Sequence, residues 1–181
     1  METAIETKLV KRFLEGDESA FSVIVSNFKQ KIYWHARRML GNHADADDVT
    51  QETLITIYKK LNTFRFDSSL NTWVYQITSR KCLNYLKKKK LKSFFLPESE
   101  EARSLKRNED VAAAFESREK LARLDEILER LPPKQREIFV LRNFEELSYR
   151  EIEEITGTSI GALKASYFHA LKKVKELMPD E

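Results

Sequence analysis

Along most of the chain, apolar side chains recur every three or four positions and are interrupted by short polar breaks, the signature of amphipathic helices. Leu9, Val10, Phe13 and Leu14 make a first short amphipathic turn, broken by Gly16 and Asp17. Asp17 can cap a second helix in which Phe21, Ile24, Val25, Phe28 and Ile32 share one face. That pattern runs through Trp34 and Leu40 and stops at Gly41, where a residue without a Cβ can turn the chain left-handed. Asn42, three residues before Asp45, offers a cap for a third helix with Leu54, Ile57, Tyr58 and Leu61 as its buried stripe. Asp45, Asp48 and Glu52 share another face of that helix and are expected to point outward together. Asn62 to Leu70 reads as a loop, with Asp67, Ser68 and Ser69 as turn formers. A fourth helix, starting near Asn71 or Thr72, carries Trp73, Arg80, Asn84 and Lys87 along one stripe.

From Ser93 to about Ser117 the periodicity is lost, and Pro97 with Glu98, Glu100, Glu101, Glu109 and Asp110 marks a linker, although Val111 to Phe115 could join the helix that follows. Leu121, Leu124, Ile127, Leu128 and Leu131 then predict a helix ended by Pro132 and Pro133. Pro133 can begin the next, through Ile138, Phe139 and Leu141. Ser148 and Glu151 have capping-box spacing for a short helix with Ile152 and Ile155, closed by Gly157. Ser159 is expected to cap a longer helix whose Leu163, Tyr167, Ala170, Leu171 and Val174 face inward. A short helix, a glycine-containing turn and a longer helix make a helix-turn-helix, which places the start of its second helix in the DNA major groove. The outward residues Ile160, Ala162, Lys164, Ala165, Ser166, Phe168, His169 and Lys172 can meet base edges and phosphates. The expected fold is all-α: two small helical domains, residues 1–92 and 118–181, joined by a flexible acidic linker, 93–117, with the helix-turn-helix in the second.

Four glycines and four prolines in 181 residues suit long helices, and 41% apolar residues suffice for folded cores. The single cysteine, Cys82, cannot form an internal disulfide and sits in a helical pattern, where a packed thiol is expected. The N-terminus lacks a basic-then-apolar leader and no apolar run nears the roughly 20 residues of a membrane span, so the expected location is cytoplasmic. The net charge of +3 hides an asymmetry. Residues 1–92 hold 17 Lys and Arg against 10 Asp and Glu, the linker 3 against 6, and residues 118–181 hold 12 against 13. Attraction to phosphate is therefore concentrated in the first domain.

Three readings of the acidic face on the third helix stay open: a solvated surface, a metal site lacking any second cluster of ligands, and a protein-docking surface. Gln51, an uncharged hydrogen-bonding side chain beside Glu52, favours docking. The Trp73 stripe alone would be read as core. Beside it, however, stand Phe64, Arg65, Tyr75 and the run Lys87 to Lys90, and rings with neighbouring cations can stack unpaired bases while holding their backbone. His169 has no partner histidine and suits a surface or phosphate contact better than a ligand or catalyst.

These residues, taken in order, resemble the bacterial sigma-70 family, specifically its small extracytoplasmic-function group, which keeps only the second and fourth conserved regions. Gly16, Asp17, Ala20 and Phe21 open the first match; Asp45, Ala46, Asp48, Gln51 and Glu52 match its polymerase-binding helix, and Phe64, Thr72, Trp73, Tyr75 and Ile77 its promoter-melting segment. Leu131, Pro132, Gln135, Arg136, Leu147, Ser148, Tyr149, Glu151, Ile152, Gly157, Gly161, Lys164 and Ala170 fall in register in the second half. The resemblance implies a dissociable RNA polymerase subunit that performs no bond chemistry and needs no cofactor. It implies that Asp48, Gln51 and Glu52 dock on the coiled coil of the β′ subunit, that the second domain holds the flap of the β subunit, and that the linker threads between them. Promoter DNA would meet Phe64, Arg65, Trp73, Tyr75, Arg80, Asn84, Lys87 and Lys88 at the minus-ten element. At the minus-thirty-five element it would meet Ser159, Ile160, Gly161, Ala162, Lys164, Ser166, His169, Lys172 and Lys173. An anti-sigma factor is a further partner that the resemblance leaves open. The chain departs from the family in having Arg80 where Asn is common, Asn84 where Asp is common, and Ser166 and His169 where Arg is common. Two other classes remain alternatives: a stand-alone helix-turn-helix regulator, and an enzyme using Asp45, Asp47, Asp48 and Glu52 with a metal.

Overall fold

The computed structural model describes residues 2–95 and 123–178, with side chains from residue 4 onward. The first body comprises α1 (Glu2–Leu14), α2 (Glu18–Leu40), α3 (His43–Lys60), a 3-10 turn (Leu61–Thr63) and α4 (Leu70–Phe95). The second comprises a helical segment over 123–129 (α5), α6 (Pro133–Asn143), α7 (Tyr149–Thr156) and α8 (Ile160–Leu177). The amphipathic turn expected at the start is a 13-residue helix. Ser93, expected to begin the linker, still belongs to α4. The expectations for Val111 to Phe115 and for Leu121 lie outside the described residues.

Helix ends follow the chemistry of their caps. The Asp17 carboxylate accepts from the Ser19 amide at 3.0 Å, and Asn42 Oδ1 from the Asp45 amide at 2.9 Å. Gly41 and Gly157 close α2 and α7 at φ of 83° and 69°, a backbone that costs other residues energy. Ser148 and Glu151 form the reciprocal capping box. Ser159 occupies the cap position of α8 but its side chain makes no capping bond; instead Glu153 Oε1 accepts from the Ile160 amide at 3.2 Å. A carboxylate from the preceding helix thus does the work expected of a serine hydroxyl, and suits the positive end of the helix dipole.

Leu9, Val10, Ile24, Phe28, Ile32, Ile57, Leu61 and Val74 form the core of the first body. Tyr58, expected in that stripe, is 43% exposed. Its ring packs edge-on against Phe13 and Phe21, and its hydroxyl donates to Glu18 at 3.1 Å, as suits a side chain with one apolar and one wet end. Ile138, Leu141, Ile152, Ile155 and Leu163 form the core of the helix-turn-helix. A further apolar cluster belongs to both bodies: Ala36, Met39, Leu40, Val49 and Cys82 pack with Leu128, Leu131, Phe139, Val140 and Val174. Arg136 of α6 ties the two together, donating from Nη1 to the Met39 carbonyl at 2.5 Å and from Nη2 to the Glu129 carbonyl at 2.8 Å. Cys82 is fully buried, and burial, followed by the nearby Glu137 charge, pushes its thiol pKa up, so it is an inert packed group. Among the described residues, no helix is long and apolar enough to cross a membrane.

Candidate nucleic-acid interface

The acidic face of α3 divides in two. Asp48, Gln51 and Glu52 are exposed; Gln51 Nε2 donates to Asp47 at 2.9 Å, and Glu52 pairs with Lys81 of α4 at 3.2 Å. Asp45 does not join them. It is 6% exposed and turns inward to Tyr85 at 2.6 Å and Lys89 at 2.7 Å, while Asn42 holds it at 2.7 Å. Burial acts to raise its pKa, but the bonds from Lys89, Tyr85 and Asn42 outweigh burial and hold the carboxyl below the usual carboxylate range. Expected to point outward, Asp45 faces inward because the first turn of α3 packs beside the second half of α4, within reach of Tyr85 and Lys89. Among the described residues no three His, Cys, Asp or Glu side chains come together as a metal site would require.

The start of α4 and the loop before it gather rings. Phe64 is buried, with its centroid 4.8 Å from Phe66 and 5.4 Å from Trp73. Trp73 is half-buried and Arg65 is exposed, its guanidinium 3.8 Å from Asp67. Phe66 is 39% exposed and takes a left-handed backbone, φ 62°, uncommon for a residue with a bulky side chain. Nothing in the residue type announces that conformation. Further along α4, Arg80, Asn84, Lys87 and Lys88 are all exposed. Trp73 therefore shares one stripe of α4 with Arg80, Asn84 and Lys87, and Phe66 and Arg65 are exposed in the loop before it, while Phe64, expected at the DNA surface, is buried behind them in the core.

Tyr75 stands apart from this surface. Two residues on from Trp73 it lies about 200° around the helix, so it points to the second body, where it is 3% exposed and donates to Glu145. Burial, then the Glu145 charge, raises its phenol pKa. Beside it the Ser79 hydroxyl lies 3.0 Å from His35 Nε2, and His35 Nδ1 lies 3.7 Å from Glu145. Serine, histidine and carboxylate in that order suggest nucleophilic catalysis. Yet Ser79 is 2% and His35 0% exposed, which leaves a substrate no approach to the hydroxyl.

In the helix-turn-helix, α8 presents Ser159, Gly161, Ala162, Lys164, His169, Lys172 and Lys173 to solvent, with Ile160 and Ser166 half-buried. Lys164 lies over the Tyr149 ring, 5.9 Å from its centroid. Phe168 is 64% exposed beside His169, more than an isolated core aromatic would be. Its exposure agrees with the outward position that the helical pattern gives it.

An aromatic and basic helix face on one body and a helix-turn-helix on the other define a two-part DNA-binding protein. Residues 24–92 match the family model described as sigma-70 region 2, and residues 121–174 match sigma-70, region 4. The chain is 30% identical over 180 residues to the ECF RNA polymerase sigma factor SigW of Bacillus subtilis, spanning 96% of each, and 29% identical over 182 residues to the RNA polymerase sigma-H factor of Pseudomonas aeruginosa, spanning 96% of this chain and 94% of that one. It belongs to the sigma-70 family, in the extracytoplasmic-function group, and is a non-catalytic subunit that directs RNA polymerase to promoters. Its fold is that of CnrH in complex with the cytosolic domain of CnrY, with a TM-score of 0.72 at 22% identity over 96% of this chain and 97% of that one. It is also that of the sigma factor RpoE in complex with the anti-sigma factor NepR from Bartonella quintana, at 0.69 and 21% over 89% and 98%.

Proposed function

We propose that the exposed surface of α4 and its preceding loop binds the unpaired strand of the minus-ten element, that Asp48, Gln51 and Glu52 dock on the β′ coiled coil, and that α8 reads the minus-thirty-five element. The supporting observation is the continuity of the α4 surface. Phe66 and Trp73, partly exposed and packed on the buried Phe64, lie with the loop residue Arg65 at the start of a helix that carries Arg80, Asn84, Lys87 and Lys88 exposed, so stacked bases and their phosphates would follow one helix. Promoter opening is then a binding problem, in which stacking offsets the few kcal/mol of unstacking. Tyr75 would contribute only where the second body is away from α4. The β flap is the partner assigned to the second body, and an anti-sigma factor is a further partner suggested by the NepR complex. The cytoplasm, where polymerase acts, is the proposed location.

The docking assignment is tested by changing Gln51 and Glu52 together to Ala. Both are exposed, and neither carries a helix cap, so the fold should be unaffected. Affinity for core polymerase should fall by at least about tenfold, as the loss of two polar interface contacts predicts. A titration showing the same affinity as the parent chain would remove this surface from the interface.

For α8 the two kinds of contact separate. Changing Lys172 and Lys173 to Ala should weaken the holoenzyme on all promoters alike and reduce the salt slope by roughly 1 to 2 units, about one per phosphate contact. Changing Lys164 or Ser166 should alter which minus-thirty-five sequence is preferred, each lost base contact costing roughly 1–3 kcal/mol. A promoter library transcribed by reconstituted holoenzyme distinguishes them. A uniform loss with Lys164 or Ser166 variants would mean that α8 does not read bases.

A further inference from the structure

The last turns of α4 carry an apolar face that stays exposed among the described residues. Residues 70–95 hold seven Lys and Arg and no Asp or Glu. Leu91, Phe94 and Phe95 are 53%, 81% and 74% exposed, the last two being the most exposed large apolar side chains among the described residues. Their two rings meet edge to face, with centroids 5.5 Å apart. Lys87, Lys90, Leu91 and Phe94 line one open groove. Every position from 91 to 95 is exposed, so the helix has left the packed core before it ends.

Helical phase decides how these side chains are arranged. At about 100° per residue, Phe94 lies about 60° to one side of Leu91 and Phe95 about 40° to the other, so the three share one face. Lys90 and Lys92 stand about 100° to either side of Leu91 and border that face, while Lys87 and Lys88 fall on it one turn earlier. All four of these lysines are exposed. Lys89 alone among the lysines of this run lies on the opposite side, about 160° from Leu91, and there it pairs with Asp45 at 2.7 Å. That contact orients the helix: the side of Lys89 is turned to α3, and Leu91, Phe94 and Phe95 are turned away from it.

We propose that this face docks on an anionic phospholipid bilayer, lying along its surface with Leu91, Phe94 and Phe95 in the headgroup boundary and Lys87, Lys88, Lys90 and Lys92 on the lipid phosphates. Charge selects this occupant. A helix without a carboxylate meets a surface of fixed phosphates, and its lysines can extend their stems beside the rings while their ammonium groups stay in the wet headgroup layer. Duplex DNA satisfies lysines equally but offers no apolar layer for two phenyl rings and a leucine. Three apolar side chains are too few to span a bilayer, so the attachment is peripheral and reversible. The inference goes beyond the promoter-binding reading and does not rest on it.

The test uses the full-length chain and vesicles, with neither polymerase nor DNA present. The chain should co-sediment with vesicles of equal parts phosphatidylglycerol and phosphatidylcholine at about 0.1 M salt, where charges act over roughly 10 Å, and should bind pure phosphatidylcholine at least about tenfold more weakly. Lys92→Ala should lower partitioning about fivefold. Phe94→Ala with Phe95→Ala should lower it at least about tenfold, with an unchanged melting temperature because both rings are already in water. Equal binding to the two kinds of vesicle, or parental binding by the double phenylalanine variant, would overturn the proposal. A loss of promoter-directed transcription by that variant alongside parental vesicle binding would assign the rings to polymerase or DNA instead. In a second arm, an environment-sensitive dye on Phe94→Cys, with Cys82 buried and inert, should brighten and shift to the blue on the anionic vesicles. A dye that stays in water while the chain sediments would show attraction by lysine charge alone and would overturn the apolar docking.

Discussion

Arg136→Ala is expected to lower the unfolding free energy by roughly 3–5 kcal/mol, a loss on the scale of breaking a buried charged contact. Arg136 is 5% exposed, and its guanidinium bridges carbonyls from two bodies: Met39 at the end of α2, Glu129 at the end of α5 and Leu131 in the turn before α6. Removing it leaves buried carbonyls without donors where α2 and α6 meet, and a cavity among Met39, Leu131 and Phe139 would accompany them. Lysine should not rescue it, because a single ammonium cannot reach acceptors that diverge around a planar fork. Urea unfolding followed by far-ultraviolet circular dichroism measures the effect. A loss under about 1 kcal/mol would mean that the carbonyls find water and that Arg136 is not an anchor.

Phe66 and Trp73 together are expected to have the largest effect on promoter opening. If each ring stacks one unpaired base, removing both costs roughly 2–6 kcal/mol, or about 30- to 10⁴-fold in the stability of the open complex. Phe66→Ala is the cleaner single change: both rings touch Phe64, but Trp73 also packs on the core of the first body. Phe66→Gly sharpens the test. Glycine accepts a φ of 62° without the roughly 1–2 kcal/mol that a side chain incurs there, so this variant should melt at the parent temperature or above it while losing open complex. Permanganate reactivity of melted thymines and the melting temperature, measured together, separate the two effects. Normal reactivity in Phe66→Gly would exclude Phe66 from the melted strand.

The helices were readable because their faces and caps are local. The α2 stripe, the cap at Asp17, the Gly41 and Gly157 terminators and the capping box at Ser148 depend on residues a few positions apart, and each emerged where periodicity placed it. What the pattern could not supply is what lies across space. Asp45 has the spacing of an outward carboxylate but faces Lys89 and Tyr85, about forty residues away in sequence. Tyr75 carries the residue type of a base-stacking platform but the helical phase of an interface residue. Ser159 has the right side chain for a cap, and Glu153, from the neighbouring helix, takes its role. Phe66 illustrates another limit: a left-handed phenylalanine is set by the loop around it and not by its own preference. Asp48, Gln51 and Glu52, proposed for docking, were legible as exposed because a polar i, i+3, i+4 group lies away from the apolar stripe of its helix.

The packing of Cys82, Met39 and Val49 against α6 and α8 sets a sensitivity as well as a shape. A partner that binds only with the two bodies apart has its apparent affinity divided by the fraction of molecules in which they already are, so every ~1.4 kcal/mol by which the shared core favours contact would weaken such a partner tenfold. Methyl packing at Met39 and Val140, remote from any exposed surface, would then tune that partner's affinity: a better-filled core would lower it and a looser one would raise it.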